Sequence, residues 1–401
     1  MALEQLPDEL LLKVLSFLYH EELCTVSEVS KKFRRLAFDP TLWKHIVLED
    51  LPPITLECWR LMVSRCTLLT SLYIVQQGKN TPELLRAVAE SPHGRQIRHL
   101  KFFEGLAPEG KDDSDGLLTA AMSISRLTWL ETLDLELFRF LDLIGLRQVL
   151  SSCRKLKKLN LQCLEHLDSD TFKYVCERGA ENLIYLSVNK DLLKDADMSC
   201  LAQLTNLQHL SILHKRVEHS DEDGGRQGGL GPLAFGALCQ LTKLTTLELE
   251  EVQNISDLRG QKLHQLKTLK VMTSFLRDRD LLELVRHMPG LEQLSLGSLP
   301  LVTDSGLTQA FAACTSIRAL HILWAGPRVV GTFLEGLRKL LPQLRLMSFT
   351  SKHTDILEFQ QRNLDIEFKE KEGTDWDDIC RDMEDWMEYK AHKIWAAEEE
   401  D

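Results

Sequence analysis

Ten cysteines and thirteen histidines are the residues of this 401-residue chain best able to act as nucleophiles, proton carriers or metal ligands. Their spacing argues against all three roles. No two cysteines stand as Cys-x-x-Cys, and no His-x-His or His-Glu-x-x-His pair accompanies them, so neither a zinc site nor a disulfide framework is expected. Cys163, Cys176, Cys239 and Cys314 lie among apolar positions, where a thiol serves as a small hydrophobe. The run "GGRQGGLG" (224–231) lacks the Gly-Lys-Ser/Thr ending that would bring a lysine and a hydroxyl to a nucleotide's phosphates. No Ser-His-Asp order or paired-carboxylate signature follows a strand-to-helix turn. The expected chemistry is binding, with no catalytic residues, no metal and no cofactor.

Charge narrows the partners. The net charge is −12, and residues 355–401 alone hold 17 Asp/Glu against 6 Lys/Arg. The remainder is nearly balanced and carries no basic stripe, so nucleic acid is not an expected partner. The longest run free of Asp, Glu, Lys and Arg, 198–214, is too short and too polar for a membrane span of about 18 residues or more. Asp8, Glu9 and Lys13 interrupt the apolar N-terminal stretch, and no basic segment precedes it, so a secretory signal is not expected. The expected location is the cytosol, the nucleus or both.

The elements that must position any binding residues are read from a repeat. L-x-x-L-x-L, with aliphatic or aromatic substitutes, recurs eleven times, from "LTSLYI" (69–74) and "IRHLKF" (97–102) through "LETLDL" (130–135) to "LRLMSF" (344–349). Most copies start 22 to 28 residues after the previous one, the spacing of leucine-rich repeats. Within each copy apolar and polar residues alternate, as in a short strand with one buried face. Between copies lie helical stretches such as "TPELLRAVAES" and "DSGLTQAFAAC", with Thr81, Ser169 and Asp304 as expected N-caps. The expected fold class is α/β, a curved solenoid with a parallel concave sheet. Two inserts, "GLAPEGKDDSDG" (105–116) and "EHSDEDGGRQGGLGP" (218–232), read as loops. "VTDSGL" (302–307), together with Cys66, Cys153 and Cys314 three residues ahead of their strands' first aliphatic, resembles the cysteine-containing subtype of leucine-rich repeats.

The residue between the last two apolar strand positions points to the concave surface. That column reads Tyr73, Lys101, Asp134, Asn160, Ser187, Ser211, Glu248, Lys270, Ser295, His321 and Ser348, flanked by Phe103, Glu136, Tyr185, Glu250 and Met272. Aromatic residues beside both charge signs suit recognition of a protein or extended peptide. Among these, Tyr73, Lys101, Phe103, Asp134, Asn160, Tyr185, Glu248, Lys270 and His321 are the candidate partner-binding residues.

The first helix poses a separate problem. "LPDELLLKVLSFL" (6–18) carries large apolar residues on most sides, so something must cover it. With "EELCTVSEVSKKFRRLAFDPTLWK" (21–44), it resembles an F-box, with the family's Leu-Pro start, apolar helix and Leu-Trp ending; Ser30 and Phe33 stand where the family often has Cys and Trp. The resemblance implies a three-helix unit that binds a Skp-type adaptor, and through it cullin and RING subunits, while the repeats hold a protein substrate for ubiquitination. It makes Leu6, Pro7, Leu10, Val14, Leu23, Val26, Leu42 and Trp43 the adaptor-contact candidates. The domains expected are an F-box at 1–50, the repeat solenoid at 51–354 and an acidic tail at 355–401, with an amphipathic helix at 374–395. Two alternatives stay open: an interaction scaffold not coupled to degradation, and an acidic-tail chaperone or inhibitor for a basic partner.

Overall fold

A computed structural model describes residues 5–18, 20–48, 56–75, 80–103, 114–136, 138, 141–162, 168–189, 195–213, 232–250, 263–272, 276–351 and 356–368. The chain forms two compact units, Met1–Thr268 and Leu269–Asp401. The expected tail helix (374–395), Cys163 and most of both inserts lie outside the described residues.

The first unit opens with three short helices, α1 (Asp8–Leu15), α2 (His20–Ser27) and α3 (Lys31–Ala37), and a 3-10 turn at Pro40–Trp43. Pro7 precedes α1, where its missing N–H costs nothing. Ser30 caps α3, its hydroxyl accepting from the Phe33 N–H at 3.3 Å. Asp39 likewise caps the 3-10 turn by accepting from the Thr41 N–H at 3.0 Å. Leu11, Leu15, Leu23, Phe33, Leu36 and Trp43 are buried and form the centre of this small bundle.

Strand and helix then alternate: β1 (His45–Leu48), α4 (Leu56–Arg65), β2 (Ser71–Val75), α5 (Thr81–Glu90), β3 (His99–Phe103), α6 (Ser114–Arg126), β4 (Thr132–Glu136) and α7 (Leu143–Ser152). The series continues with β5 (Lys158–Leu161), α8 (Ser169–Gly179), β6 (Tyr185–Asn189), α9 (Asp195–Met198), β7 (His209–Leu213), α10 (Pro232–Leu238) and β8 (Thr246–Glu250). Strands β1 to β8 are parallel and pair in chain order. The apolar half of each repeat supplies the core: Leu72 and Ile74, Leu100 and Phe102, Leu133 and Leu135, and Leu247 and Leu249 are each at most 2% exposed. Each such side chain contributes roughly 1.5–3 kcal/mol on burial.

The second unit begins in β9 (Thr268–Met272) and continues α11 (Asp278–Arg286), β10 (Gln293–Leu299), α12 (Asp304–Ala313), β11 (Ala319–Ala325), α13 (Leu334–Leu340), β12 (Leu346–Ser351), α14 (Leu357–Arg362) and β13 (Glu367–Phe368). Strands β10 to β13 are again parallel and in chain order. All eleven L-x-x-L-x-L copies lie on strands β2 to β12, while β1 and β13 fall outside the repeat pattern. No described helix is long and apolar enough to cross a membrane.

The helix caps differ from expectation by one residue. Asn80, Asp168 and Thr303 occupy the N-cap positions, and Thr81, Ser169 and Asp304 are the first helical residues. Asp168 accepts from the Thr171 N–H at 2.7 Å, a contact the neighbouring serine would make no better. Asp304 is freed for a longer reach: its carboxylate, 8% exposed, accepts from the backbone N–H of Val330, Gly331 and Phe333 at 2.7, 2.9 and 3.1 Å. Asp278 does the same one repeat earlier, accepting from the N–H and hydroxyl of Thr303 at 2.8 and 2.6 Å. Gly306 belongs to this arrangement, because a Cβ there would stand 2.3 Å from the Asp278 carboxylate carbon. In the first unit Asp195 holds the N–H groups of Leu233 and Ala234. Acidic residues at the starts of helices thus staple one repeat to the next.

Candidate functional site

At the N-terminus, α1 buries one face only. Leu11 and Leu15 point inward, whereas Leu10, Val14 and Phe17 are 51%, 49% and 79% exposed. Val29 and Phe38 are exposed as well. The bundle is held by polar contacts at its edge: Lys32 donates to the Leu6 carbonyl at 2.9 Å, and Arg35 and Lys32 reach the Asp8 carboxylate at 2.5 and 3.3 Å. These cations hold the Asp8 carboxyl below its ordinary pKa, the Arg35 hydrogen bond being the largest influence. The Trp43 indole N–H donates to the Ala37 carbonyl at 2.8 Å, and its ring stacks on Phe38. What remains is α1 and the turn that follows it, presenting three large apolar side chains to water.

On the sheet face opposite the apolar strand residues, register lines up the polar positions of the first unit. Tyr73, Lys101, Asp134, Asn160, Ser187, Ser211 and Glu248 are partners across successive strands. Lys101 lies over the Tyr73 ring at 5.1 Å and 3.9 Å from Asp134. A second column, two residues earlier, runs His99, Thr132, Lys158, Tyr185 and His209. Tyr185 stacks on His209 at 4.5 Å, the His209 Nε2 is 3.7 Å from Glu248, and Ser211 donates to Glu248 at 3.0 Å. Aromatic faces, a carboxylate and an ammonium thus line one surface, which suits a polypeptide. Among the described residues no group of three or more His, Cys, Asp or Glu is placed to hold a metal ion.

Residues 3–49 match the family model F-box-like. Among solved structures, the chain is similar to the crystal structure of the Rad7 and Elc1 complex in yeast, with 17% identity, a TM-score of 0.53, and 86% of this chain and 83% of that one covered. The chain is an F-box-like domain followed by leucine-rich repeats. A structure of a TLR13–ssRNA13 complex aligns at a TM-score of 0.33 and 14% identity, over 77% of this chain and 58% of that one, and carries no argument.

The F-box-like domain divides the adaptor-contact candidates. Pro7, Leu10 and Val14 are exposed, and Leu6, Val26 and Leu42 are half-buried. Leu23 and Trp43, at 2% and 3% exposed, are interior residues that hold the bundle together rather than surface. Phe33 fills the core with them, and Ser30 serves as a helix cap. Phe17, a surface residue that the family resemblance did not single out, is the most exposed apolar side chain of the first helix segment.

The leucine-rich repeats divide the other set. Tyr73, Lys101, Asp134, Tyr185 and Glu248 are partly exposed in the first unit, and Lys270 is so in the second. Asn160, Ser187, Ser211, Ser295, His321 and Ser348 were expected at an open surface and are instead at most 8% exposed. Strands about 4.8 Å apart pack each of these side chains against its register partners, Asn160 with Ser187, Ser187 with Ser211, and His321 with Ser295 and Ser348, so little of it reaches solvent. Asn160 turns its oxygen to the Gln162 N–H, and His321 Nδ1 lies 3.1 Å from the Ser348 hydroxyl. Met272 is buried, also against expectation. The side chains of Phe103 and Glu136 lie outside the described residues. Cys176 and Cys200, their sulfurs 3.0 Å apart, are buried among apolar neighbours, and burial raises the thiols of Cys66 and Cys153 to about 11 and about 12, far from reactive.

His99 and His209 were not legible as site residues, since nothing local distinguishes them; only lateral pairing sets them beside the aromatic and charged positions. Burial pushes the His99 imidazole down to about 4, against a weaker upward pull from Glu131. The unfolded chain takes up this proton near the ordinary value of about 6.5. The group therefore costs stability progressively as pH falls from about 6.5 to about 4. Urea midpoints measured across that window are expected to fall less steeply in His99→Gln than in wild type; equal slopes would mean that His99 titrates as an exposed histidine.

Proposed function

We propose that the chain is the non-catalytic substrate-recognition subunit of a cullin-RING ubiquitin ligase of SCF type, acting in the cytosol or nucleus. The F-box-like domain binds a Skp-type adaptor through the exposed face of α1, and the repeats present a protein substrate to the ubiquitin-charged enzyme. The observation that carries this reading is the apolar triplet Leu10, Val14 and Phe17, exposed on a matched F-box-like segment that cannot bury it by itself. The similarity to the Rad7 and Elc1 complex, a two-protein assembly, supports a partner of this kind. The candidate substrate contacts are Tyr73, Lys101, Asp134, Tyr185 and Glu248.

Co-expression of the full chain with a Skp-type adaptor, followed by size-exclusion chromatography with cullin and RING subunits, tests the proposal. The expected result is a stoichiometric complex that transfers ubiquitin to a captured partner. An adaptor that elutes separately from the folded chain would overturn it. A complex whose captured partners are neither ubiquitinated nor more abundant on depletion would favour the scaffold reading instead.

A further inference from the structure

The second unit carries a concentration of positive charge that the proposed function does not use. Three successive strand-to-helix loops meet there. The segment after β9 brings Arg277, the N-cap of α11, and Arg279 in the helix's first turn; the loop after β10 brings Leu301 and Thr303, and the loop after β11 brings Arg328. With Asp278 they line an open recess of about 400 Å³. In sheets built from parallel strands, the carboxyl ends of the strands are where such loops converge on ligands.

The recess is fixed in shape. Gly326 lies so close to the preceding loop that a Cβ would stand 2.4 Å from the Leu299 carbonyl oxygen and 2.5 Å from the Pro300 Cα. Asp304 holds the N–H groups of Val330 and Gly331 on the other side of Arg328. Arg328 is therefore bracketed by two anchored points, and Asp278 anchors Thr303 opposite it.

Three guanidinium-bearing side chains share the lining with a single carboxylate, that of Asp278. Arg277, Arg279 and Arg328 are exposed, and their guanidinium groups form no ion pair among the described residues. Asp278 directs one oxygen to the Thr303 N–H and the other to its hydroxyl, so it offsets one positive charge without pairing with any of the three guanidiniums. With one carboxylate among them, the three guanidiniums leave the lining with a net charge of about +2 on a chain of net charge −12, which an anion would offset. Their planar forks suit tetrahedral oxyanions that accept several charge-assisted hydrogen bonds, and a dianion offsets more of the charge than a carboxylate does.

We propose that this recess binds a phosphate monoester, its oxygens held by Arg277, Arg279 and Arg328 and its carbon side resting on Leu301. The volume exceeds that of the phosphate alone, leaving room for the group that carries it.

The test uses the full chain, with inorganic phosphate and end-blocked phosphoserine titrated by calorimetry at matched ionic strength. End-blocked serine serves as the control, and the variants are Arg279→Gln with Arg328→Gln, and Arg279→Lys with Arg328→Lys. The expected result is saturable phosphoserine binding, no response to serine, at least a tenfold loss in the glutamine pair and a smaller loss in the lysine pair. Melting temperatures without ligand should be unchanged or raised in both variants. Phosphoserine binding several-fold tighter than phosphate assigns a phosphorylated side chain as the source; equal affinities assign the free anion. No saturable binding of either probe, or equal affinity in wild type and both variants, would overturn the proposal. If the glutamine pair fails to fold, the lysine pair decides, since undiminished binding there excludes recognition by the guanidinium forks.

Discussion

Replacing Leu10 and Val14 together by aspartate is expected to weaken adaptor binding at least a hundredfold while leaving the unfolding of the chain almost unchanged. Both side chains are about half exposed, at 51% and 49%, so their loss leaves no cavity. Exposed substitutions of this kind usually shift stability by less than about 0.5 kcal/mol. In a complex the same positions are desolvated. Each apolar side chain then contributes roughly 1.5–3 kcal/mol, and an aspartate stranded there adds a penalty of its own. The sum exceeds the roughly 2.8 kcal/mol that corresponds to a hundredfold change. Leu11→Ala provides the contrast: Leu11 is fully buried, and its truncation should cost about 2–5 kcal/mol of stability in the bundle. Surface plasmon resonance against the adaptor, paired with urea unfolding, separates the two effects. Unchanged affinity in the double aspartate variant would remove the exposed face of α1 from the interface.

Asp304→Ala is expected to destabilise the second unit about as much as truncating one of its buried core side chains. Its carboxylate serves three backbone N–H groups of the following repeat, and no water-exposed alternative is offered to the Phe333 N–H, which is buried. An orphaned buried donor costs about 1–3 kcal/mol, so three donors that relax only in part put the loss at about 3–5 kcal/mol. Asp304→Asn keeps one acceptor oxygen and should lose less. Thr303→Ala removes an N-cap and the hydroxyl contact to Asp278, a loss of about 1–2 kcal/mol. Guanidinium unfolding monitored by tryptophan fluorescence should rank the variants in that order. An Asp304→Ala variant no weaker than Thr303→Ala would show that water replaces the carboxylate at little cost.

The strand positions were legible in the sequence because the signal is local. A strand with one buried face writes its alternation within six residues, and the spacing of the copies repeats it. β2 to β12 accordingly fall on the eleven copies. The F-box-like segment was legible for the same reason, its Leu-Pro start, apolar helix and "DPTLW" ending falling in order within about 45 residues.

What only tertiary structure decided is lateral. The sequence shows that α1 is rich in leucine, but packing against α2 and α3 selects Leu11 and Leu15 for burial and leaves Leu10, Val14 and Phe17 in water. β1 and β13 lack the repeat pattern and become strands by pairing with β2 and β12. The serines and His321 of the polar column sink from view because they pack against their register partners on the adjoining strands, which no single repeat can state. Asp304 reads as a helix cap until the following loop arrives to claim its carboxylate. Arg277, Arg279 and Arg328 lie about fifty residues apart at the extremes, and only the stacking of successive repeats turns three scattered charges into one recess.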